Sequence, residues 1–517
     1  MTATRQRLLL AVLVFSPIVI WMDNTILNTA FVRLSDPVQG LDASPGELQW
    51  AVGSYTLVFA TLMFTAGALG DRFGHRTLLV AGMTVFGLSS VWAAYAGSPA
   101  ELIAARAVMG AGSAFAVPPT MAIVTWAFTG PARARAFGVF SISAGVGVAA
   151  GPLLAGVLLD HFWWGSVFLV NVPIVLIALA AICRVVPNFR APEPRRLDVV
   201  GPVVSAGGLA ALAYGLIRAG QVAAWTRWDV LAPIAAGLVL LVLFVAIELR
   251  LREPSFDPRL LAGRIFGGGN AALGLLFLAM TGASFFGAFY LQGARNFSPL
   301  AAALAGALPA AVGVMLGAPL ATRLVARFSV RPVTVAGLTV AGLAMGCWSQ
   351  FDLHTPLIWN EILSFVQGLA IGTVIAPVSA AVMSALPLER AGAGSAVNNT
   401  VRQTGSVLGI AVGGTIMSIV YRRGIAGALA GAPRAVREQA EVSAEQARHA
   451  AAATHRPALA EAADRAFVHA MHVACLWTMA IALGGALVLA LAFRPVRAGE
   501  AEAVAGQEPE KRAAGRV

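Results

Sequence analysis

The side chain best placed to do chemistry is a carboxyl group inside an apolar stretch. Asp23 lies in the segment WMDNTILNTA, between LLLAVLVFSPIVI and FV, and the whole stretch is long enough to cross a bilayer. Placing a charged acid in the middle of a membrane costs roughly a few kcal/mol or more of free energy. Such residues therefore usually face a water-filled cavity and serve transport. We therefore predict that Asp23 faces a cavity and binds protons. A structural acid paired permanently with an arginine is the alternative.

Arg106 is the predicted partner of Asp23. At about 1.5 Å per helical residue, Asp23 lies roughly 12 Å, and Arg106 roughly 8 Å, below the outer end of its apolar run. Similar depths allow a direct or water-mediated interaction. A nearby cation favours the charged carboxylate, whereas burial disfavours it. A change in the separation of the two groups would therefore switch proton affinity. An arginine that merely orders the cavity is the alternative.

The composition places most of the chain in lipid. Of its 517 residues, 58% are hydrophobic and 12% are charged, whereas a soluble domain carries about 25% charged residues. The net charge of +11 comes from basic residues in ones and twos between apolar runs. This distribution is typical of loop anchors at a membrane, so no nucleic-acid partner is expected. Cys183, Cys347 and Cys475 lack a paired spacing, which argues against a disulfide framework or a metal site.

Fourteen apolar runs are long enough to span a membrane. They lie near residues 8–31, 48–69, 78–97, 101–127, 136–159, 165–186, 198–218, 230–248, 267–292, 300–323, 332–350, 357–385, 398–420 and 467–493. The first run follows Arg5 and Arg7 as in a signal peptide, but it is too long and has no small-residue cleavage site, so we expect an uncleaved span.

Arginine sets the predicted orientation. With a cytoplasmic N-terminus, the inner segments before the C-terminal tail hold about 18 Arg and the short outer loops about four, which predicts that both termini are cytoplasmic. The segment 421–465 is the exception, because it carries seven Arg yet falls outside. Its Ala-rich composition with interspersed Glu predicts a surface helix.

An internal repeat divides the chain into two halves. GALGDRFGHR at 67–76 aligns with TRLVARFSVR at 322–331, and RAVMGAGSAFAVPP at 106–119 aligns with SFVQGLAIGTVIAP at 364–377. The predicted fold class is an all-α membrane protein of two six-helix bundles plus two inserted transmembrane helices. The predicted domains are an N-terminal bundle at 1–190, inserted helices and linkers at 191–262, a C-terminal bundle at 263–493 with its external loop at 421–465, and a disordered cytoplasmic tail at 494–517. Asp71 aligns with Ala326 and Arg106 with Ser364, so the charged residues are concentrated in the first half.

Three motifs resemble the major facilitator superfamily, and in particular its fourteen-helix branch of drug/proton antiporters. GALGDRFGHRTLL resembles the superfamily's loop motif between helices two and three. DNTILNTAF at 23–31 resembles the branch's first-helix pattern, with Val32 where Pro is usual. GVGVAAGPLLAG at 145–156 resembles the antiporter motif of helix five, with Ala155 in place of Gly. The resemblance implies a major facilitator fold and export of drug-like or toxic molecules by proton antiport with alternating access.

The resemblance also implies roles for particular residues. The gating loop comprises Gly67, Asp71, Arg72, Gly74 and Arg76, in which the acid would cap the next helix or pair with an arginine under a neighbouring one. The antiporter helix comprises Gly147, Gly151, Pro152 and Gly156, which we expect to pack closely, bend the helix at the interface of the halves and act as a pivot. Asn398, Arg402 and Gln403 open the thirteenth span, where Thr400 to Gln403 resembles the family's Thr-x-Arg-Gln pattern. They either line the inner end of the pathway or anchor the span at the cytoplasmic interface. The candidate residues lining the pathway are these three and Trp21, Met22, Asn28, Tyr55 and Phe59.

Other function classes fit the sequence less well. No phosphate-binding G-x-x-x-x-G-K-[ST] motif is present, and the scattered histidines form no catalytic or metal set, so we expect neither an ATP-driven pump nor an enzyme. A nutrient uniporter or symporter, and a non-transporting membrane sensor, stay open. We expect no cofactor, a proton gradient as the driving force, a lipophilic or cationic small-molecule substrate, surrounding lipid, and a monomer. The excess of Arg over Lys indicates a GC-rich bacterial genome. We therefore expect the protein in a bacterial plasma membrane.

Overall fold

A computed structural model describes residues 3–190, 200–251, 257–386 and 391–493, and in these ranges every regular element is a helix. We call the helices up to residue 190 the first half. They are α1 (Ala3–Leu13), α2 (Phe15–Leu34), α3 (Pro45–Phe73), α4 (His75–Ala94), α5 (Pro99–Ala127), α6 (Gly130–His161), α7 (Ser166–Leu169) and α8 (Asn171–Val185).

Two helices, α9 (Val200–Val222) and α10 (Trp228–Arg250), separate the first half from the second. The helices of the second half are α11 (Arg264–Ala288), α12 (Pro299–Ala302), α13 (Leu308–Phe328), α14 (Val330–Cys347), α15 (Leu357–Ser384), α16 (Ala391–Ile425), α17 (Arg434–Ala440), α18 (Ala444–Ala453) and α19 (Pro457–Ala492). Short 3₁₀ turns occur at Pro258–Ala262 and Trp348–Gln350, and π-helical turns at Phe289–Ala294 and Ala303–Ala307.

Thirteen helical segments of the described chain are long and apolar enough to cross a membrane. The number rises to fourteen when the two parts of α3, Pro45–Met63 and Thr65–Phe73, count as one span bent by 52°. The prediction of an all-helical membrane protein is therefore confirmed, with a span at each predicted place. The orientation of the termini and the domain boundaries stay predictions, and residues 191–199, 252–256 and the tail at 494–517 lie outside the described ranges.

Residues 35–44 lie on the outer side of the membrane in the predicted orientation. We call the helix ends on that side the outer ends. Two helices begin there with strong capping signals. The Ser44 hydroxyl accepts a hydrogen bond from the Glu47 amide, while the Glu47 carboxylate accepts one from the Ser44 amide at 2.8 Å. Ser98 caps α5 in the same way, by accepting from the Glu101 amide at 3.2 Å. Proline follows each cap, where its missing N–H does no harm.

The repeat in the sequence returns as a repeat in packing. The Thr25 hydroxyl donates to the Val148 carbonyl at 3.3 Å and joins α2 to α6, and the Thr281 hydroxyl donates to the Ser406 carbonyl at 3.1 Å and joins α11 to α16. Gly110 lies against the backbone of Tyr55, as Gly368 lies against that of Ala310. Each pair recurs 255 to 258 residues later in the chain. The halves therefore share one helix-packing scheme.

The inserted helices pack beside the halves. α9 contacts α10, and it also contacts α3 of the first half and α16 of the second. A hydrogen bond of 2.6 Å from the Thr415 hydroxyl to the Leu216 carbonyl fixes α16 to α9. α10 packs chiefly on α9, and only 11% of its apolar window is buried, so most of its surface faces lipid.

The halves meet at their outer ends. The ring of Phe31 on α2 lies 5.3 Å from that of Phe285 and 6.0 Å from that of Phe289. The Gln292 amide donates to the Thr29 carbonyl at 3.0 Å, and the Ser298 hydroxyl donates to the carboxylate of Asp160 at 3.2 Å. In this conformation the outer side is therefore closed by direct contacts between the halves.

The predicted external loop at 421–465 has a different shape from the single surface helix that its composition suggested. α16 continues to Ile425 and α19 begins at Pro457, because the Ala-, Glu- and Arg-rich sequence at both ends favours helix. Between them, the short helices α17 and α18 fold over the outer ends. We call residues 426–456 the outer cap.

Candidate functional site

The two intramembrane charges of the first half form a direct ion pair. Arg106 on α5 donates from Nη1 to Oδ2 of Asp23 on α2 at 2.5 Å, and both side chains have 0% exposed surface. The pairing matches the depths expected from sequence. Neither side chain of the ion pair contacts solvent or lipid in this conformation.

A third residue, Asn171 at the start of α8, completes the site. Its amide nitrogen donates to Oδ1 of Asp23 at 2.9 Å and lies 3.4 Å from the Ser90 hydroxyl on α4. Both carboxylate oxygens of Asp23 thus accept a hydrogen bond. Burying an isolated charge in such surroundings costs roughly several kcal/mol. These donors therefore stabilise an ionised carboxylate at this position.

α3 holds the guanidinium from the other side. Arg106 Nε donates to the Ala51 carbonyl at 3.3 Å, and the guanidinium carbon lies 4.4 Å from the ring centre of Tyr55, within range of a cation–π interaction. The Tyr55 hydroxyl is fixed in turn by Ser113 at 2.8 Å. Arg106 therefore keeps favourable contacts that do not depend on the charge of Asp23.

The prediction that Asp23 faces a water-filled cavity is wrong for this conformation. α3, α5 and α8 close around Asp23 of α2: α5 and α8 supply the donors to its carboxylate, and α3 supplies the carbonyl that accepts from Arg106. Of the candidate pathway residues near it, Met22, Tyr55 and Phe59 are also buried in packed interior, whereas Trp21 and Asn28 are partly exposed. Proton exchange at Asp23 therefore requires this cluster to open.

The glycines of α6 lie next to the same stretch of α2. A side chain at Gly147 would collide with the backbone of Ile18 and Met22, and one at Gly151 with Met22 and Thr25. Only Gly156 touches the other half, at Leu300 of α12. α6 runs unbroken from Gly130 to His161 through Pro152. The expected close packing is present, but it lies mainly within the first half, and the 52° bend is in α3 instead.

The segment 67–76 is not the predicted loop: it is the end of α3 and the start of α4, with Gly74 between them. Asp71 approaches a histidine and not an arginine, since its Oδ1 lies 3.2 Å from Nε2 of the buried His75, across the helix break, while Arg72 is exposed over the ring of Phe73. Arg76 donates to the Cys183 carbonyl at 2.5 Å and so ties α4 to α8. Gly67 has an open side, and Gly74 adopts a φ of +100° in contact with Asn188, where a side chain would not fit.

The polar residues that open α16 in the second half have separate surroundings. Asn398 is buried and donates to Oδ1 of Asn270 on α11 at 2.8 Å. The guanidinium carbon of Arg402 lies 4.4 Å from the ring centre of Phe277, and Gln403 is partly exposed. The structure thus places Asn398 and Arg402 on the α11–α16 contact, well apart in the chain from the Asp23 cluster.

Comparisons with known proteins decide the family. The sequence profile described as Major Facilitator Superfamily matches residues 13–410. The chain belongs to the Major Facilitator Superfamily. It is therefore a multi-pass transporter of the bacterial cell membrane, not an enzyme. A solved structure of a bacterial homolog to the human lysosomal transporter Spinster, inward-facing and unoccupied, covers 96% of this chain and all of its own, with a TM-score of 0.66 and 16% identity, which supports the fold alone.

Curated relatives of this facilitator are resistance and export proteins. The multidrug efflux pump LfrA of Mycolicibacterium smegmatis is 33% identical over 505 residues, covering 95% of this chain and 97% of its own. The puromycin resistance protein pur8 of Streptomyces alboniger is 32% identical, covering 79% and 81%. The methyl viologen resistance protein SmvA of Salmonella typhimurium is 33% identical, covering 80% and 83%.

Sequence reasoning missed Asn171, Ser90 and His75 as members of this transporter's sites. Asn171 had a signal, since it is a polar residue inside the apolar run SVFLVNVPIVL of the sixth span. His75 had none, because the helix breaks at Gly74 between it and Asp71, so their four-residue spacing does not place them on one helix face. Ser90 carries no such signal.

Proposed function

We propose that this transporter exports drug-like or toxic small molecules in exchange for protons, by alternating access. The proton gradient is the driving force, and no cofactor takes part. The observation that carries the proposal is the fully buried pair of Asp23 and Arg106, which is the kind of intramembrane charge that serves ion movement. Relatives named as efflux, resistance and export proteins support the direction of transport.

A proton on Asp23 would change the balance of forces in the cluster. Protonation removes the negative charge that holds Arg106, while Arg106 keeps its hydrogen bond to the Ala51 carbonyl and its contact with Tyr55. The link between α2 and α5 therefore weakens when the proton binds and returns when it leaves. Because α2 also carries Phe31 at the outer junction of the halves, the state of Asp23 is coupled mechanically to closure of that junction.

The closed outer end is one state of an alternating-access cycle. Its contacts are aromatic rings and single hydrogen bonds between the halves, which rigid-body rocking can break and remake. We place both termini and the segment 67–76 in the cytoplasm, on the arginine distribution. The working unit in this proposal is a monomer in lipid, with a lipophilic or cationic substrate.

Proteoliposomes loaded with the fluorescent cation ethidium test the proposal. An imposed proton gradient should drive ethidium movement by the native chain, collapse of the gradient should abolish it, and Asp23→Asn should abolish gradient-driven movement.

Asp352→Asn is the matched control. Hydrogen bonds from the Thr355 hydroxyl and the His354 amide hold the pKa of the Asp352 carboxyl below its usual range, so this outer-loop acid stays ionised near neutral pH and the variant should transport normally. Movement that persists without a gradient would indicate a uniporter, and no movement of any ligand a sensor. Equal coupling in the native chain and Asp23→Asn would overturn the role of Asp23.

A further inference from the structure

A cavity lies at the outer end of the second half, apart from the Asp23 cluster. It encloses about 510 Å³, part of it open to solvent. α11 and α16 form its walls, Phe467 of α19 and Pro45 of α3 close its sides, and α18 of the outer cap forms its roof. Because this figure includes open solvent and the gaps between atoms, the enclosed space is smaller, and a drug-sized ligand requires the pocket to widen.

The walls of this outer pocket are aromatic. Two consecutive turns, at the end of α11 and the start of the π-helical turn that follows it, contribute Phe285, Phe286 and Phe289, and α16 contributes Met417 and Tyr421. Phe285 and Phe289 also touch Phe31 of the first half, so the pocket lies directly behind the outer junction. Aromatic faces carry negative partial charge and attract cations, and flat rings stack against them.

The roof of the pocket contains part of a cluster of two carboxylates and one guanidinium. Glu445 and Arg448 of α18 both line it, and the Arg448 guanidinium bonds Glu445 at 2.5 Å and Asp464 of α19 at 2.8 Å. Two carboxylates thus share one guanidinium. All three side chains are at least four-fifths buried, so water screens the remaining charge only partly.

We propose that the outer pocket binds a flat aromatic cation, as a second site that an exported molecule occupies after it leaves the interior of the transporter. The ring system lies among Phe285, Phe286 and Tyr421, and the positive charge faces Glu445. This inference rests on the proposed export function for its place in the cycle. The binding chemistry itself depends only on the pocket.

The outer cap also explains how such a site would open. It is fixed to the second half by the Arg448–Asp464 pair and by the Tyr421 hydroxyl, which donates to the Ala440 carbonyl at 3.0 Å. It reaches the first half through Gln446, which donates to Asp42 at 3.0 Å, and through His449, whose Nε2 lies 3.9 Å from Asp36. When the halves part, the cap should therefore stay on the second half, and the pocket should open on the side that Pro45 of α3 lines.

Equilibrium binding of ethidium to the purified full chain in detergent tests the site. Glu445→Gln should raise the Kd about tenfold through loss of a nearby opposite charge, and its fold should survive because Arg448 keeps Asp464. Phe286→Leu should raise the Kd about two- to tenfold through loss of an aromatic face. The matched controls, Glu438→Gln on the exposed face of α17 and Phe328→Leu at the inner end of α13, should bind as the native chain does.

Thiol protection locates the ligand independently of affinity. In a chain whose three cysteines are replaced by serine, ethidium should slow maleimide labelling of Ser418→Cys, which lies in the pocket wall, and leave labelling of the exposed Gln350→Cys unchanged. Native affinity in both pocket variants, absence of ethidium binding, or unprotected Ser418→Cys would each overturn the outer site.

The proposed outer site and the proposed export function can be disproved independently. Gradient-driven ethidium export by the native chain would stand if the pocket variants bound normally. Weakened binding in the pocket variants would support the site even if no gradient drove ethidium across the membrane.

Discussion

The two halves share a scaffold but differ in what fills its centre. Both halves pack their helices through the same glycines and the same threonine-to-carbonyl bonds. In the first half the central positions are Asp23, Tyr55, Ser90 and Arg106, and in the second half the equivalent positions are Ala279, Ala310, Met345 and Ser364. Small and apolar residues are thus sufficient for this packing, so the fold does not require the charges.

This difference indicates why the charged cluster is present. A buried ion pair is often no more stable than well-packed apolar residues of similar volume, whereas removal of one partner is strongly destabilising. The second half is a natural example of the apolar solution within the same molecule. The pair in the first half is therefore better explained by a function that uses its charge than by stability.

Breaking the ion pair should produce the largest difference between the halves. Arg106→Met leaves Asp23 as an unpaired charge in the interior and should lower the free energy of unfolding by about 3–5 kcal/mol. Ser364→Ala at the equivalent position should change it by less than about 1 kcal/mol. Denaturant titration in mixed micelles measures both. The double variant Asp23→Leu/Arg106→Met should regain most of the stability but not proton coupling, and a stable single variant would contradict the comparison.

The next effect concerns the additional donor to the carboxylate. Asn171→Leu removes the amide that bonds Oδ1 of Asp23, and a lost hydrogen bond to a charged group should cost about 1.5–3 kcal/mol in the same titration. Asn399→Leu is the control in the second half, because the Asn399 amide bonds only a backbone carbonyl of its own helix, Ser395, among the described contacts. Equal losses in the two variants would show that Asp23 does not depend on Asn171.

The turn between the second and third spans of each half offers a test with opposite signs. Gly74 has φ +100°, and its counterpart Ser329 has φ +72° with ψ 169°, a conformation that L-residues rarely adopt. Such strain costs about 1–3 kcal/mol, so Ser329→Gly should stabilise the chain by up to that amount. Gly74→Ser should destabilise it by a similar amount. Thermal unfolding monitored by fluorescence measures both shifts, and shifts of one sign would contradict the assigned backbone geometry.

The smallest effect should be the same in both halves. Thr25→Val and Thr281→Val each remove one hydroxyl-to-carbonyl bond between helices, and such bonds in membrane proteins contribute about 0.6 kcal/mol on average. Unfolding of the single and double variants should therefore show two small, equal and additive losses. A much larger loss for Thr25 would mean that its bond also supports the neighbouring Asp23 cluster.

The sequence was sufficient to predict the positions of the spans and the internal repeat, because the length of an apolar run and the spacing of motifs can be read directly from the chain. It was also sufficient to predict the Asp23–Arg106 pairing, because helix rise gives depth in the membrane. Depth does not give rotation about the helix axis, so the sequence could not show that the pair faces packed helices instead of a cavity. The bond from Asn171 joins residues 148 positions apart in the chain, and no motif encodes that contact.

The position of α9 restricts how the two halves can move. Because it rests on α3 and on α16 together, it covers the seam where those helices would otherwise border the bilayer. When the halves rock, α3 and α16 must then slide along α9. On that side, α9 also prevents lipid acyl chains from entering the interface between the halves. A transported molecule consequently has no lateral exit into the membrane between α3 and α16.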